Sequence, residues 1–383
     1  MLRDLVVVGA GPVGATLALA LRDADLDVVV LDSRAAGAPF RGDRSLALSH
    51  GARLILERLD VWSRLPRDAV TPITSIDISQ AGGFGMTRLD ASDHALPALG
   101  YVVSYRALQA ALDAALATAG IVVQFGATAQ RVGGTPAYAA VTLEKPGDDC
   151  ITARLAAIAD GSGAHVDGIR RDRTDYGRVA VTAKVSPRRS HDGTAFERFT
   201  ADGPMALLPE GDGYGVVWTM APACADRVQA LSDDAFLDAL AERFGARVER
   251  FTGVTARRTF PLALEIARPT TGTRAVVIGN AAQALHPVAG QGFNLGMRDA
   301  FELAQAIIDT PRDKLGDAAM LKRYRRRRLP DRMSGIAFTH GLVQLFGNDV
   351  PFIRWPRGLA LTALDAMPVA KRAFAHVMLF GIH

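Results

Sequence analysis

LVVVGAGPVGATLALALRDADLDVVVLD, from Leu5 to Asp32, is the stretch that decides the fold. Leu5 to Val8 is a short run rich in β-branched residues, Gly14 to Leu21 is rich in Ala and Leu with good helix propensity, and Val28 to Leu31 is strand-like again. Strand, crossover helix and strand make a right-handed βαβ unit, with the two strands side by side in a parallel sheet. Between the first strand and the helix, Gly9-Ala10-Gly11-Pro12-Val13-Gly14 matches the dinucleotide-binding turn, and Asp32 ends the second strand about 20 residues on. Gly9 permits the tight turn, Gly11 lets the backbone approach a pyrophosphate, and Gly14 lets helix and strand pack closely. The helix N-terminus offers free N–H groups to the anion, and Asp32 accepts hydrogen bonds from a ribose diol.

That fingerprint alone does not choose between NAD and FAD. A second glycine-rich element does. Gly279-Asn280-Ala281-Ala282 follows the buried run RAVVI (Arg274 to Ile278), and Gly290-Gln291-Gly292-Phe293-Asn294-Leu295-Gly296 leads into another helix. A side-chain-poor helix N-terminus suits a flavin, whose N1/O2 edge becomes negative on reduction and is stabilised by main-chain N–H groups.

Working outward, Tyr105 to Ala119 reads as an amphipathic helix, Ile121 to Phe125, Tyr138 to Glu144 and Ile151 to Ala159 as strands, and Gly296 to Ile308 as a helix. From about Gly177 to Thr259, strand-like runs such as AFERF, MALLP and YGVVWTM alternate with turn residues. The expected class is α/β. A Rossmann-like FAD-binding domain with a parallel sheet covers residues 1–70, 101–176 and 260–345. A mostly antiparallel substrate-binding sheet covers 71–100 and 177–259, and a C-terminal helical segment covers 346–383.

The 383 residues, 49% hydrophobic and 22% charged, are enough to bury a large core. The net charge of +4 is carried by arginines along the whole chain, with one dense run from Lys322 to Arg328 that reads as a solvated helix face. It has no aromatic interleaving, so nucleic acid is not an expected partner. Cys150 and Cys224 are too few for a disulfide framework and lack ligand spacing, so no metal site is expected and both read as thiols of a reducing cytosol. The N-terminal apolar run is broken by glycines and reads as a strand, and no stretch reaches the roughly 20 apolar residues of a membrane span. The expected location is cytoplasmic, with any membrane contact peripheral and on the inner face.

Gly9 to Gly14 with Asp32, Asp160-Gly161, and Gly279-Asn280 followed by His286-Pro287 resemble the three motifs of the single-component FAD aromatic hydroxylases, the para-hydroxybenzoate hydroxylase class. Their order and spacing cover almost the entire chain. Arg44 to Leu48 (RSLAL), Phe196-Glu197-Arg198-Phe199, Pro261-Leu262-Ala263-Leu264 and GNAAQALHPVAGQGFNLGMRDA (Gly279 to Ala300) are similar to the branch of that class that serves ubiquinone synthesis. The resemblance implies FAD as cofactor, NADPH or NADH as a transient co-substrate, and a polyprenylated phenol as substrate, with 2-polyprenyl-6-methoxyphenol foremost. Membership of a ubiquinone-biosynthesis protein complex is compatible with it. Three rivals stand beside that reading: a hydroxylase of the same fold acting at another ring position or on another aromatic substrate, a reductase of prenyl chains, and a flavin-stabilised scaffold subunit.

Residue by residue, the resemblance implies that Arg44 and Arg106 contact the phosphate or ribityl region and that Asn280 binds a ribityl hydroxyl. Gly290, Gly292, Phe293 and Asn294 border the flavin ring through their backbone, and Pro287 sits where substrate arrives. Asp160 and Gly161 order the region shared with the nicotinamide cofactor. The wider class has Asp in place of Asn280 and His in place of Gln283; Asn still donates and accepts, so the charge goes and the contact stays. His286 is the candidate for proton transfer, against a plainer packing role, and Trp218 is weighed as a substrate contact against core packing. No other catalytic group stands out, as suits a cofactor that carries the hard chemistry itself.

At the C-terminus, Ile353, Trp355, Leu359, Leu361 and Leu364, then Phe374, Val377, Met378, Leu379 and Phe380, supply apolar side chains, while Arg354, Arg357, Lys371 and Arg372 supply positive charge. That combination suits an interfacial helix pair broken at Pro368, or equally a pair of helices packed on the FAD domain.

Overall fold

Strands Arg3–Val8 and Val28–Asp32 pair in parallel, Leu5 with Val28 through Val8 with Leu31, and the helix between them covers one face. The computed structural model describes residues 2–38, 44–83, 85–144, 150–161, 163–248, 250–285, 290–346 and 351–382. Its helices are α1 (Pro12–Ala20), α2 (His50–Arg58), α3 (Tyr105–Thr118), α4 (Pro222–Gln229), α5 (Asp233–Phe244), α6 (Gln291–Ile308), α7 (Ala318–Phe346), α8 (Pro351–Ala366) and α9 (Pro368–Phe380).

The parallel part of the first sheet runs in the order Val122–Phe125, Val28–Asp32, Arg3–Val8, Ile151–Ile158, Ala275–Val277. Apart from the exposed edge strand Val122–Phe125, its strands are largely apolar because both faces are buried. Leu5, Val7, Val30 and Leu155 face the helices α1, α3 and α6, while Val6, Val8, Val29 and Ile158 share the opposite core with Val132 and Val141 of an antiparallel extension. The apolar run at Arg274 to Ile278 thus supplies the last strand of that order, paired with Ile151–Ile158, and the Gly279 turn emerges beside the Gly9 turn.

The second sheet has eight strands, in the order Gln283–Ala284, Phe251–Arg268, Arg170–Pro187, Gly213–Met220, Gly203–Glu210, Thr194–Thr200, Ser75–Gln80, Met86–Asp90. It is antiparallel apart from the parallel pairing of Thr194–Thr200 with Ser75–Gln80. Strands Arg170–Pro187 and Phe251–Arg268 run through the expected divisions at 176/177 and 259/260, and the first has its register shift between Asp175 and Arg178, where Gly177 takes φ of 60°. A third, small sheet joins Ser45–Ser49, Gly100–Ser104 and Val70–Ile73.

Two sequence expectations need correction. Residues 222–244, expected within a strand-and-turn region, are α4 and α5, which cover one face of the second sheet. Their start signals are ordinary: Pro222 stands in the first turn of α4, and the Ser232 hydroxyl accepts from Ala235 N at 3.3 Å. The run from Lys322 to Arg328 is not simply a solvated face, since Tyr324 and Arg328 point inward while Lys322, Arg323, Arg325, Arg326 and Arg327 remain exposed. Spacing of four on α7 puts Tyr324 and Arg328 on one side of the helix, and buried carboxylates meet Arg328 there.

Candidate active site

Gly9 leaves its strand at φ of 102°, and a Cβ there would lie 2.7 Å from the Ala159 carbonyl oxygen. At Gly14 a Cβ would strike the Gly9 carbonyl, so this glycine serves the packing of α1 on the strand and does not line the cleft. Gly11 differs from both, because a Cβ there meets no protein atom within 4 Å. It caps α1 without any side-chain hydrogen bond, leaving the first N–H groups facing open space. A ligand phosphate can approach the backbone there, as FAD binding requires, and the cradle fits FAD.

The turn is held from behind. Ala10 N donates to Asp32 Oδ2 at 2.8 Å, Arg34 N donates to Asp32 Oδ1 at 2.8 Å, and Gln109 Nε2 on α3 donates to the Ala10 carbonyl at 2.8 Å. Gln109 also reaches Asp113, which pairs with Arg34. Sequence reading missed this support, although two polar residues four apart on the inner face of an otherwise apolar helix were its signal.

A cavity of about 660 Å³ runs along this region. Gly9, Gly11 and Asp32 line it from the first motif, Arg44, Asp160 and Gly161 from the segments between, and Asn280, Gly290, Gly292 and Phe293 from the second. Arg44 stacks 4.7 Å over the Tyr105 ring, and Asp160 Oδ2 accepts from Ala164 N at 2.6 Å. Arg106 is exposed on the first turn of α3, outside the lining. Asn294 is likewise outside it, buried, with Oδ1 accepting from Ser49 N at 2.8 Å and Nδ2 donating to the Gly290 and Ala47 carbonyls. Its side chain staples the Gly290 loop to a neighbouring strand. His286 and Pro287 lie outside the described residues.

Beneath the second motif runs a buried ionic network. Asp299 on α6 accepts from Gln283 Nε2 at 2.7 Å, from Gly279 N at 3.3 Å and from Arg328 Nε at 2.8 Å. Arg332 Nε donates to Gln283 Oε1 at 2.8 Å, and Asp331 accepts from Arg298 and Arg328 and from the Ile382 amide. Burial alone would raise the Asp331 pKa, but the two guanidinium groups outweigh it and hold the carboxyl below its ordinary value. Gln283, where the wider class has His, therefore supports the turn under Asn280.

A second cavity of about 220 Å³ adjoins the first, and Ala47, Leu208, Val217 and Gly290 line both. Its walls are the inner face of the second sheet, Phe338 of α7, and Leu361, Leu364, Phe374, Met378 and Leu379 of the C-terminal helices. Trp218 is not among them: by strand alternation it faces the other side of the sheet, 3% exposed, with its ring edge-on to Phe236. Of the two readings weighed for Trp218, its position in the core behind the chamber wall is that of core packing. Glu197, quoted in the sequence only for its likeness, is the acidic group in this apolar wall, and burial pushes its carboxyl up to about 8.

The C-terminal helices have two faces. Leu361, Leu364, Phe374, Met378 and Leu379 turn to the chamber, while Trp355, Leu359, Met367, Val369 and Val377 are exposed. Lys371 is engaged by Asp365 at 3.0 Å and Arg372 is exposed, whereas the side chains of Ile353, Arg354 and Arg357 lie outside the description. Among the described residues no helix is long and apolar enough to cross a membrane.

The family described as FAD binding domain matches residues 3–338. The chain is 32% identical to ubiquinone hydroxylase UbiL of Rhodospirillum rubrum, over 97% of this chain and 88% of that one. It is 29% identical to the 3-demethoxyubiquinol 3-hydroxylase of Escherichia coli, over 96% of each. Among solved structures, p-nitrophenol 4-monooxygenase PnpA of Pseudomonas putida shares the fold with a TM-score of 0.77 at 18% identity, over 100% of this chain and 99% of that one. Cradle, paired glycine turns and family match agree: the chain belongs to the FAD binding domain family and is an FAD-dependent hydroxylase.

Proposed function

We propose that the protein hydroxylates a polyprenylated phenol of ubiquinone biosynthesis, with 2-polyprenyl-6-methoxyphenol as substrate and NADPH or NADH and O2 as co-substrates. The observation that carries this reading is the apolar chamber beside the cofactor cleft, roofed by helices whose outer face is also apolar. An aromatic head with a hydrocarbon tail matches such a chamber, where burial of apolar surface is worth about 25 cal/mol per Å². The names of the two curated relatives, a ubiquinone hydroxylase and a 3-demethoxyubiquinol 3-hydroxylase, support the pathway, and the choice of the methoxyphenol rests on the likeness of the sequence motifs.

FAD, when bound, takes reducing equivalents from the nicotinamide and supplies an oxygen atom from O2 to the ring. The chain's part is to hold and shield. Gly9, Gly11 and the α1 terminus take the pyrophosphate, Asp32 the ribose diol, and Arg44, Asp160, Gly161 and Asn280 the stretch between. The α6 terminus at Gly290, Gly292 and Phe293 offers N–H groups to the flavin edge. Leu208 and Val217, common to both cavities, hold the ring against the cofactor and exclude water. In this reading the domain division also follows function, with the first sheet holding cofactor and the second holding substrate.

Incubation with a prenylated 2-methoxyphenol, NADPH and 18O2 is the test. One labelled oxygen in the product supports the reading; label from water, or no product from a protein that oxidises NADPH with another phenol, refutes it. The proposal includes peripheral membrane contact through Trp355, Leu359, Met367 and Val369. Changing these four to Ser should release the protein from anionic liposomes while FAD content stays unchanged, and undiminished co-sedimentation would refute the contact.

A further inference from the structure

Glu197 stands out because the chamber gives it nothing to bond. Strand alternation places Ala195, Glu197 and Phe199 on the chamber face together with Ile76, Ile78 and Ala206. Glu197 Oε1 is sealed from solvent and has no hydrogen-bond partner. The other polar side chain in the lining, Thr87, is already committed, its hydroxyl donating to Asp365 at 3.0 Å. A carboxyl oxygen sealed from solvent without a partner costs on the order of a lost hydrogen bond or more, and such an atom in a folded protein calls for an explanation, a catalytic role among them.

We infer that Glu197 is a catalytic residue that binds the ring hydroxyl of the phenol and takes its proton as oxygen is transferred. This rests on the phenol reading above. As the ring carbon's π pair forms the new C–O bond to one atom of O2, the O–O bond breaks and the second atom leaves as water with the two electrons that NADPH or NADH supplies; the hydroxyl O–H bond breaks, its electron pair becomes the carbonyl of a dienone, and the proton passes to a Glu197 carboxylate oxygen. The ring then loses the proton on the hydroxylated carbon and regains aromaticity. No other titratable side chain lines the chamber among the described residues. Asp77 and Arg198 lie on the far face of their strands, Arg88 pairs with Asp90, Asp365 with Lys371, and His340 of α7 meets Tyr176. Desolvation alone therefore governs Glu197, and its ionisation near pH 8 keeps a fraction of carboxylate present at neutral pH with a base strength suited to a phenol.

The test uses the FAD-loaded full chain, prenylated 2-methoxyphenol as probe, and the change in flavin absorbance on binding. Glu197→Gln should keep FAD and bind the probe within a few-fold of wild type, while hydroxylation falls by about 100-fold or more. Its residual rate should lose the rise with pH that the wild type shows on approaching pH 8. Glu197→Asp should recover part of the rate and the rising profile, which a merely structural role would not give. A wild-type rate and profile in Glu197→Gln overturn the inference alone. Absence of any probe-induced change in the wild type overturns the phenol reading, and this inference falls with it.

Discussion

The two cavities are neighbours built on opposite plans. The cofactor cleft is drawn largely in backbone, by glycine turns whose missing Cβ atoms leave the space, and each turn is a contiguous motif. The chamber is drawn in side chains, gathered from two sheet strands near residue 76, three near 195–217, and three helices from 338 onward. A site made of backbone announces itself in the order of residues along the chain. A site made of side chains exists only after the chain has folded.

The largest effect that sharpens this contrast comes from two glycines three residues apart. Gly14→Val should leave no soluble folded protein, because its Cβ drives into the Gly9 carbonyl with no room to yield. Gly11→Val should fold and lack FAD, because its side chain enters space that only ligand occupies. Circular dichroism with bound-flavin absorbance separates them, and an FAD-replete Gly11→Val would break the assignment of the cleft.

Next in size is the support beneath the second turn. Arg328→Met leaves Asp299 and Asp331 short of a buried cation and should cost about 3–5 kcal/mol in denaturant unfolding. The variant should also release FAD more readily, since Asp299 holds Gly279 and Gln283. Retained stability would mean that the network is ornamental.

In the chamber, Glu197→Gln should stabilise the ligand-free fold. The folded pKa near 8 lies above that of an unfolded carboxyl, so wild-type stability is fully present below about pH 4.5 and declines as pH rises towards 8. The advantage of Gln should therefore grow across that window and level off above it, reaching on the order of 5 kcal/mol. A pH-independent difference would contradict the burial of the carboxyl. The smallest effect is expected behind the chamber wall: Trp218→Phe should cost roughly 1–3 kcal/mol through looser packing on Phe236 and leave substrate binding unchanged. A raised KM would return Trp218 to the substrate site.

Much of the architecture was legible. The strands at Leu5, Val28, Ile151 and Arg274 carry the continuous apolar character of a doubly covered parallel sheet, and nothing else in the chain competes with it. The reading fell short where a local rule met a tertiary one. Glycine disfavours helix, so α6 reads from Gly296, yet it begins at Gln291 and runs through both Gly292 and Gly296. The reason is proximity: a Cβ on Gly296 would lie 3.0 Å from Gly279 Cα. For α4 and α5 the start signals at Pro222 and Ser232 lie among strands, and the context concealed them. Asn294 was read only for its backbone beside the flavin, and the sequence did not disclose that its side-chain amide bonds Ser49, Ala47 and Gly290. Glu197 was visible as a letter but not as a group, because its isolation is completed by residues such as Ile76, Ile78 and Phe374, more than a hundred positions away.

The Ile382 amide donates to Asp331, and Asp331 shares Arg328 with Asp299, which grips the turn at Gly279. The segment at Ile382 is thus wired to the flavin pocket by a relay of hydrogen bonds. Loss of the Ile382 contact would be felt as cofactor leakage, and the yellow colour of a preparation would report whether that contact is intact.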